Sequence, residues 1–404
     1  MTIASEAAPT AAQTPTAAEI LARAKALAPE LRERAAEIER TRRLPEDIVE
    51  KLRDTGIYRA GFTQAWGGPD LTSLQELEIV EALSYGDASA AWTAEVCAHT
   101  GHFARYLDDA AAREMFPNLD MITAGALFPV GRAERVPGGY RLTGRWTFGS
   151  GVTTCDWVIS GAFIYRDGQP DPSPDGKDPH DSRLFMVRRK DVSLVDNWET
   201  TGLSGTGSCD YTITDIFVPE EHTLVFSQLR DHSSPRTEPE TFMRCLPGVP
   251  LGVARAALDH VRELAETRRY PNGDRWADNR RVQTIIAECE ADYNATRYGV
   301  RGALARLEEV LGSGGTLDDL TRTERAALPL SRLHAFRTAR SIVTRIYDLL
   351  QTASIHRSSP LDRWLRDTTT MCQHLFAQER ILQSGGAHLL GGTPEFGLCL
   401  GIAK

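Results

Sequence analysis

The chain has 404 residues, 41% of them hydrophobic and 25% charged, the composition of a globular protein long enough to bury more than one core. A formal net charge of -9 offers no general attraction to phosphate backbones or anionic membranes, so neither nucleic acid nor a membrane is expected as a partner. The seven cysteines are odd in number, scattered and free of any C-x-x-C pair, which reads as reduced thiols of a cytoplasmic protein and not as a disulfide framework or zinc site.

Residues 1–17 lack the basic start and continuous apolar run of a secretory signal and are expected to form a disordered tail. From 18 to about 120 apolar residues recur at helical spacing, as in Ile48 and Leu52 and again in Leu74, Leu77, Val80 and Leu83, predicting an N-terminal helical domain. Pro45 opens a helix there, and AWGGPD at 65–70 is a loop before the next. Across 121–230 the period falls to two: Tyr140, Leu142, Trp146 and Phe148 share one face, and Arg141, Thr143, Arg145 and Thr147 the other. Further strands are expected at 157–165, 183–188 and 211–218, with the proline- and aspartate-rich segment 167–181 as a solvated excursion between them. After 240 helical spacing returns in four long segments, 251–270, 278–311, 325–355 and 361–384, the pattern of a four-helix bundle. Helices, then strands, then helices make an α+β chain and not a doubly wound sheet.

GLSGTGSCD at 202–210 has the wrong glycine spacing for a dinucleotide loop, and a strand follows it where a helix is required, so it reads as a turn-rich approach to that strand. Glu95, His99 and His102 stand at i, i+4 and i+7 on one helical face, where a metal would need a further ligand from elsewhere that the sequence does not identify. The C-terminal helices have no Glu-x-x-His pair for a di-iron site, and no metal is expected. His374 falls on a helical stripe with Trp364, Asp367, Met371, Gln378 and Ile381, a position that spacing alone gives to a core or interface histidine.

Three stretches resemble a known family: PVGRAERVPGGYRLTGRWTFGSGVTTCDWVISGA at 129–162, GLSGTGSCDYTITDIFVPEE at 202–221 and DRWLRDTTTMCQH at 362–374. They are similar to motifs of the group D two-component flavin monooxygenases, reduced-flavin-dependent aromatic hydroxylases of the acyl-CoA dehydrogenase fold. The resemblance implies an N-terminal helical domain, a middle β-barrel or sandwich domain and a C-terminal four-helix bundle. It departs from true acyl-CoA dehydrogenases, which need a glutamate base: Leu375 stands eight residues after Asp367, where that base is usual, and Phe242 best matches its alternative place.

The resemblance further implies reduced FAD or reduced FMN, supplied by a separate NAD(P)H:flavin reductase. Dioxygen would add at C4a, and the distal oxygen would pass to an aromatic or heteroaromatic, phenol- or indole-like small molecule. Trp146 and Phe148 would wall the isoalloxazine, Gly149 and Gly151 would let the backbone approach it, and Ser150 would donate to or accept from flavin N5. His374 would be the acid/base or hydroperoxide-stabilising group, with His99, and His102 on the same face, on the substrate side. Arg268 would help hold the flavin across a subunit boundary, which implies a homotetramer. An N-oxygenase of an amino group shares the same chemistry; an acyl-CoA dehydrogenase lacks its base, and a non-catalytic binding subunit sits poorly with Ser150 and His374.

Overall fold

The computed structural model describes residues 14–402 apart from Asp175 and Lys177. Residues 1–13, most of the expected disordered tail, lie outside the described residues. The remainder of that segment is ordered, correcting the expected boundary: Thr16 forms a capping box with Glu19 at the start of α1, Ala17–Thr41, and Thr14 Oγ1 donates to Gly67 O at 2.5 Å. The helical region continues through α2 (Glu46–Thr55), α3 (Ser73–Gly86), α4 (Ala88–Cys97), α5 (Thr100–Ala104) and α6 (Asp109–Met115). Asp87 separates α3 from α4 and caps the latter by accepting from Ala90 N at 2.8 Å.

The strands are β1 (Thr123–Val136), β2 (Gly139–Trp146), β3 (Trp157–Arg166), β4 (Gln169–Pro170), β5 (Ser182–Arg188), β6 (Ser193–Val195), β7 (Asp210–Pro219) and β8 (Thr223–Leu224). They form one mixed sheet in the order β6-β7-β2-β1-β3-β5-β8, with β4 paired to β3; β1 and β3 are parallel and the other pairs antiparallel. The predicted strands agree within about a residue at each end. The exception is β1, the longest, whose pairing with β3 shifts register between Ala126 and Gly131 around Pro129, so its periodicity is broken where a reader would count it. On β2, Tyr140, Leu142 and Trp146 are buried and Arg141, Thr143 and Arg145 exposed, as their alternation requires. Phe148 does not share that face: the strand ends at Trp146, and Phe148 turns out with φ 59° and 71% exposure. The described residues of the 167–181 segment are largely exposed, including the short return of β4.

The C-terminal helices are α7 (Gly248–Thr267), α8 (Arg280–Gly312), α9 (Arg322–Leu350), α10 (Pro360–Met371) and α11 (Glu379–Leu390). Helix α9 is the hub of the bundle and buries Leu333, Phe336, Ile342, Val343 and Ile346 against its neighbours, while α3 packs on α7 and joins the first domain to the same core. The single helix expected over 361–384 is broken. The chain leaves helical geometry after Cys372, makes a 3-10 turn at Leu375–Ala377, and Gln378 Nε2 bonds Cys372 O at 2.9 Å across the gap. His374 therefore does not continue a stripe with Trp364 and Met371. All seven cysteines are free and buried.

Candidate active site

The segment after β2 crosses from the sheet to α4. Gly151 has φ +75°, and a Cβ there would lie 2.3 Å from Cys97 Sγ. Its smallness thus seats the sheet against α4, which corrects the expectation that it makes room for a ring. Trp146 is also corrected: it is fully enclosed, stacked on Tyr211 at 5.5 Å, with its indole N–H donating to Gly161 O at 2.8 Å. It is a core residue and presents no face to a cofactor. Phe148 has the opposite character, exposed and touching only the edge of Trp198 at 6.2 Å among ring neighbours, in a left-handed conformation uncommon for a bulky side chain.

The second motif meets this segment. A Cβ on Gly202 would lie 2.3 Å from Arg366 O, and Leu203 N donates to Asp367 Oδ1 at 2.6 Å, so α10 clamps the 202–210 loop. From that loop runs a chain of hydroxyls. Thr206 Oγ1 donates to Leu203 O at 2.8 Å, Ser208 Oγ lies 2.7 Å from Thr206 Oγ1, and Ser150 Oγ lies 2.6 Å from Ser208 Oγ. Each hydroxyl has one proton. With Thr206 committed to a carbonyl, Ser208 must donate to Thr206 and Ser150 to Ser208. Trp92 Nε1 donates to Ser150 at 3.3 Å, so Ser150 is left with acceptor capacity only toward anything beside it.

His374 stands on the other side of Trp92, the two rings edge to face at 4.9 Å. Its Nδ1 accepts from Phe376 N at 3.5 Å, which leaves the proton of the neutral ring on Nε2. Burial, assisted by the Arg332 charge, pushes its pKa down to about 4. At pH 7 it is therefore a neutral hydrogen-bond donor. Trp92, which joins Ser150 to His374, was missed by the sequence reading; its place seven residues before His99 on the same helical face was the available signal.

His99, at the break between α4 and α5, is buried with its ring 6.0 Å from Phe242; Nε2 lies 3.6 Å from Glu95 Oε1 and has no hydrogen-bond partner. His102 also faces Phe242, at 6.3 Å, and burial lowers its pKa well below the usual value. The Cys245 thiol donates to Glu95 Oε1 at 3.5 Å, so a further ligand-type residue does arrive from a distant segment: Glu95, His99 and Cys245 have ligand atoms within 4.8 Å of one another. In this arrangement the carboxylate receives the thiol and lies beside the imidazole without a hydrogen bond to it.

Phe376 connects the two histidines, 5.1 Å from His374 and 6.2 Å from Phe242. The result is an aromatic wall running from Trp92 through His374, Phe376 and Phe242 to His99. Neither position of a dehydrogenase base offers a carboxylate, since Leu375 and Phe242 occupy them. Arg268 is not brought to this wall: it caps the far end of α7, its guanidinium 5.0 Å from the Trp276 ring.

Residues 14–119 match the acyl-CoA dehydrogenase N-terminal domain family and residues 245–379 the acyl-CoA dehydrogenase C-terminal domain family. The chain is 30% identical over 368 residues to an indole-3-acetate monooxygenase of Pseudomonas putida, covering 90% of this chain and 91% of that one. It is 26% identical over 392 residues to the oxygenase subunit HsaA of a flavin-dependent monooxygenase of Rhodococcus jostii, covering 93% and 98%. XiaF from a Streptomyces species, solved with FADH2 and glycerol, superposes with a TM-score of 0.85 at 24% identity, covering 94% of this chain and 97% of that one, and so shares the fold. With the sheet, the bundle and the absent dehydrogenase base, these likenesses lead to one conclusion: the chain belongs to the oxygenase components of the flavin-dependent monooxygenases that have the acyl-CoA dehydrogenase fold.

Proposed function

We propose that this chain uses reduced FAD or reduced FMN, delivered by a separate NAD(P)H:flavin reductase, and dioxygen to hydroxylate an aromatic or heteroaromatic small molecule. The observation that carries the reading is the hydroxyl chain ending at Ser150, which presets that oxygen as an acceptor. Reduced flavin bears a proton on N5 and oxidised flavin does not, so an acceptor suits the reduced form. When bound, the flavin supplies the activation of dioxygen. Ser150 would receive the N5 hydrogen, Phe148 offers an exposed aromatic face to the ring, and His374 holds an Nε2 proton directed away from its own backbone. The wall formed by Phe376 and Phe242 favours a planar aromatic substrate over a sugar amine and keeps water from the reacting carbon. His99, with the Glu95 carboxylate 3.6 Å from its Nε2, would accept a phenol or indole proton.

A homotetramer fits the outer face of the bundle. Leu382, Leu389 and Leu390 of α11 are exposed, Leu390 by 89%, and no surface among the described residues covers them. Arg268 and Trp276 lie on a turn that can complete a neighbour's flavin site. Seven free thiols suit the cytoplasm, and no helix among the described residues is long and apolar enough to cross a membrane. The test is to add chemically reduced FAD or FMN and air to the purified protein with a panel of phenols and indoles. Hydroxylated product is expected without any nicotinamide; turnover with NADH alone, or bleaching of bound oxidised flavin by an acyl-CoA thioester, would refute the reading.

A further inference from the structure

Arg332, on α9, is 3% exposed. Nη1 reaches only Met243 O at 3.4 Å, Nε and Nη2 have no partner, and among the described residues it forms no ion pair. The fold pairs comparable groups elsewhere. Buried Arg244 is held by Glu240 and by Glu238 at 3.1 Å, and buried Arg105 donates to the carbonyls of Asp231, Ser234 and Arg236. The carboxylates of Glu240 and Glu95 act on Arg332 only from beyond ion-pair distance. A guanidinium removed from water without a direct ion pair is costly, and two unmet N–H groups on one edge have the fork geometry that takes a carboxylate in a bidentate pair.

Its position points to the class of anion it would take. The guanidinium carbon lies 5.7 Å from the Phe376 ring, which bridges His374 and Phe242, and its backbone-carbonyl partner Met243 directly follows Phe242. The charge is thus set into the aromatic wall between the two histidines. Building on the oxygenase reading above, we propose that Arg332 is a specificity residue that binds the carboxylate of an aromatic acid, with the acid's ring held along Phe242 and Phe376. A flavin phosphate would present a similar anion; the Phe376 ring beside Arg332 favours the aromatic acid.

The test measures equilibrium binding to the purified protein by calorimetry, using aromatic acids and their uncharged primary amides: phenylacetate, 4-hydroxyphenylacetate and indole-3-acetate with the corresponding acetamides. In at least one pair the acid should bind about tenfold or more tightly than the amide, as expected of a buried charge-assisted pair. Arg332→Gln should reduce that preference to about twofold or less while leaving the amide's affinity unchanged, and Arg332→Lys should restore part of it. Equal binding of acid and amide in every wild-type pair would overturn the proposal, and this arm stands even if a variant does not fold. A variant that keeps the acid preference but loses affinity for FMN relative to riboflavin would overturn it in favour of the phosphate. Failure of the oxygenase reading is seen separately, as absence of product from externally reduced flavin with every substrate.

Discussion

At the scale of single residues, the decisive fact is where protons sit. Ser150 can accept toward a cofactor only because Ser208 takes its proton and Thr206 takes that of Ser208. Ser150→Ala removes the acceptor, and Ser208→Ala frees the Ser150 proton to point either way. Each should leave the fold intact and reduce the preference for reduced over oxidised flavin by about fivefold, the worth of one hydrogen bond of about 1 kcal/mol; equilibrium titrations of both flavin forms check this. His374 is neutral at pH 7, so product formed per oxygen consumed should show no His374 titration between pH 6 and 8. His374→Ala should still bind flavin and consume oxygen, but form about tenfold less product per oxygen, the loss expected of one well-placed donor. Its folded pKa of about 4 lies below the ordinary value of 6.5, so the unfolded chain takes up the proton first and stability falls as pH drops from about 6.5 to about 4. His374→Gln should flatten the melting temperature against pH across that window. Unchanged coupling with a lowered melting temperature would make His374 a packing residue.

At the scale of elements, the site depends on α10 clamping the 202–210 loop through Asp367. Burial, reinforced by Asp87, raises the Asp367 pKa to about 7. The sign is opposite to that of His374: the folded carboxyl holds its proton more tightly than the unfolded one, so its contribution to stability is complete below about pH 4 and lost as pH rises toward 7. Asp367→Asn keeps an acceptor for Leu203 N and carries no charge. Its melting temperature should therefore fall less than that of wild type between pH 5 and 8, as calorimetry would show; an identical pH dependence would mean that Asp367 does not control the clamp. The break after α10 belongs to the same scale. No glycine or proline marks residues 372–378, and the heptad-like spacing through Gln378 and Ile381 reads as one helix. What ends it is tertiary: Gln378 replaces a backbone donor, and the 3-10 turn swings His374 toward Trp92 and Phe376 toward Phe242 and Arg332.

At the scale of the whole molecule, the exposed leucines of α11 predict an assembly. Light scattering should give four times the mass of the chain, and Leu390→Glu should yield smaller species with weakened flavin binding; a wild-type monomer that binds reduced flavin tightly would defeat this. The domain order, most helices and the β2 alternation were legible in the sequence, because a period of 3.6 or 2 records directly which side of an element is buried. The same periodicity could not say what lies against that side, and so Trp146, a core residue packed on Tyr211, was read as a cofactor wall, and Gly151, packed against Cys97, as a ring-approach residue. Ser150 and His374 are singled out by their motifs, but their joining through Trp92 is not. Glu95 and Cys245 are 150 residues apart and Ser150 and Ser208 are 58 apart, and no local pattern encodes such meetings. They arise when α4, the sheet, α10 and the segment before α7 close on one another, since only packing across domains decides which buried polar group finds a partner and which, like Arg332, is left without an ion pair.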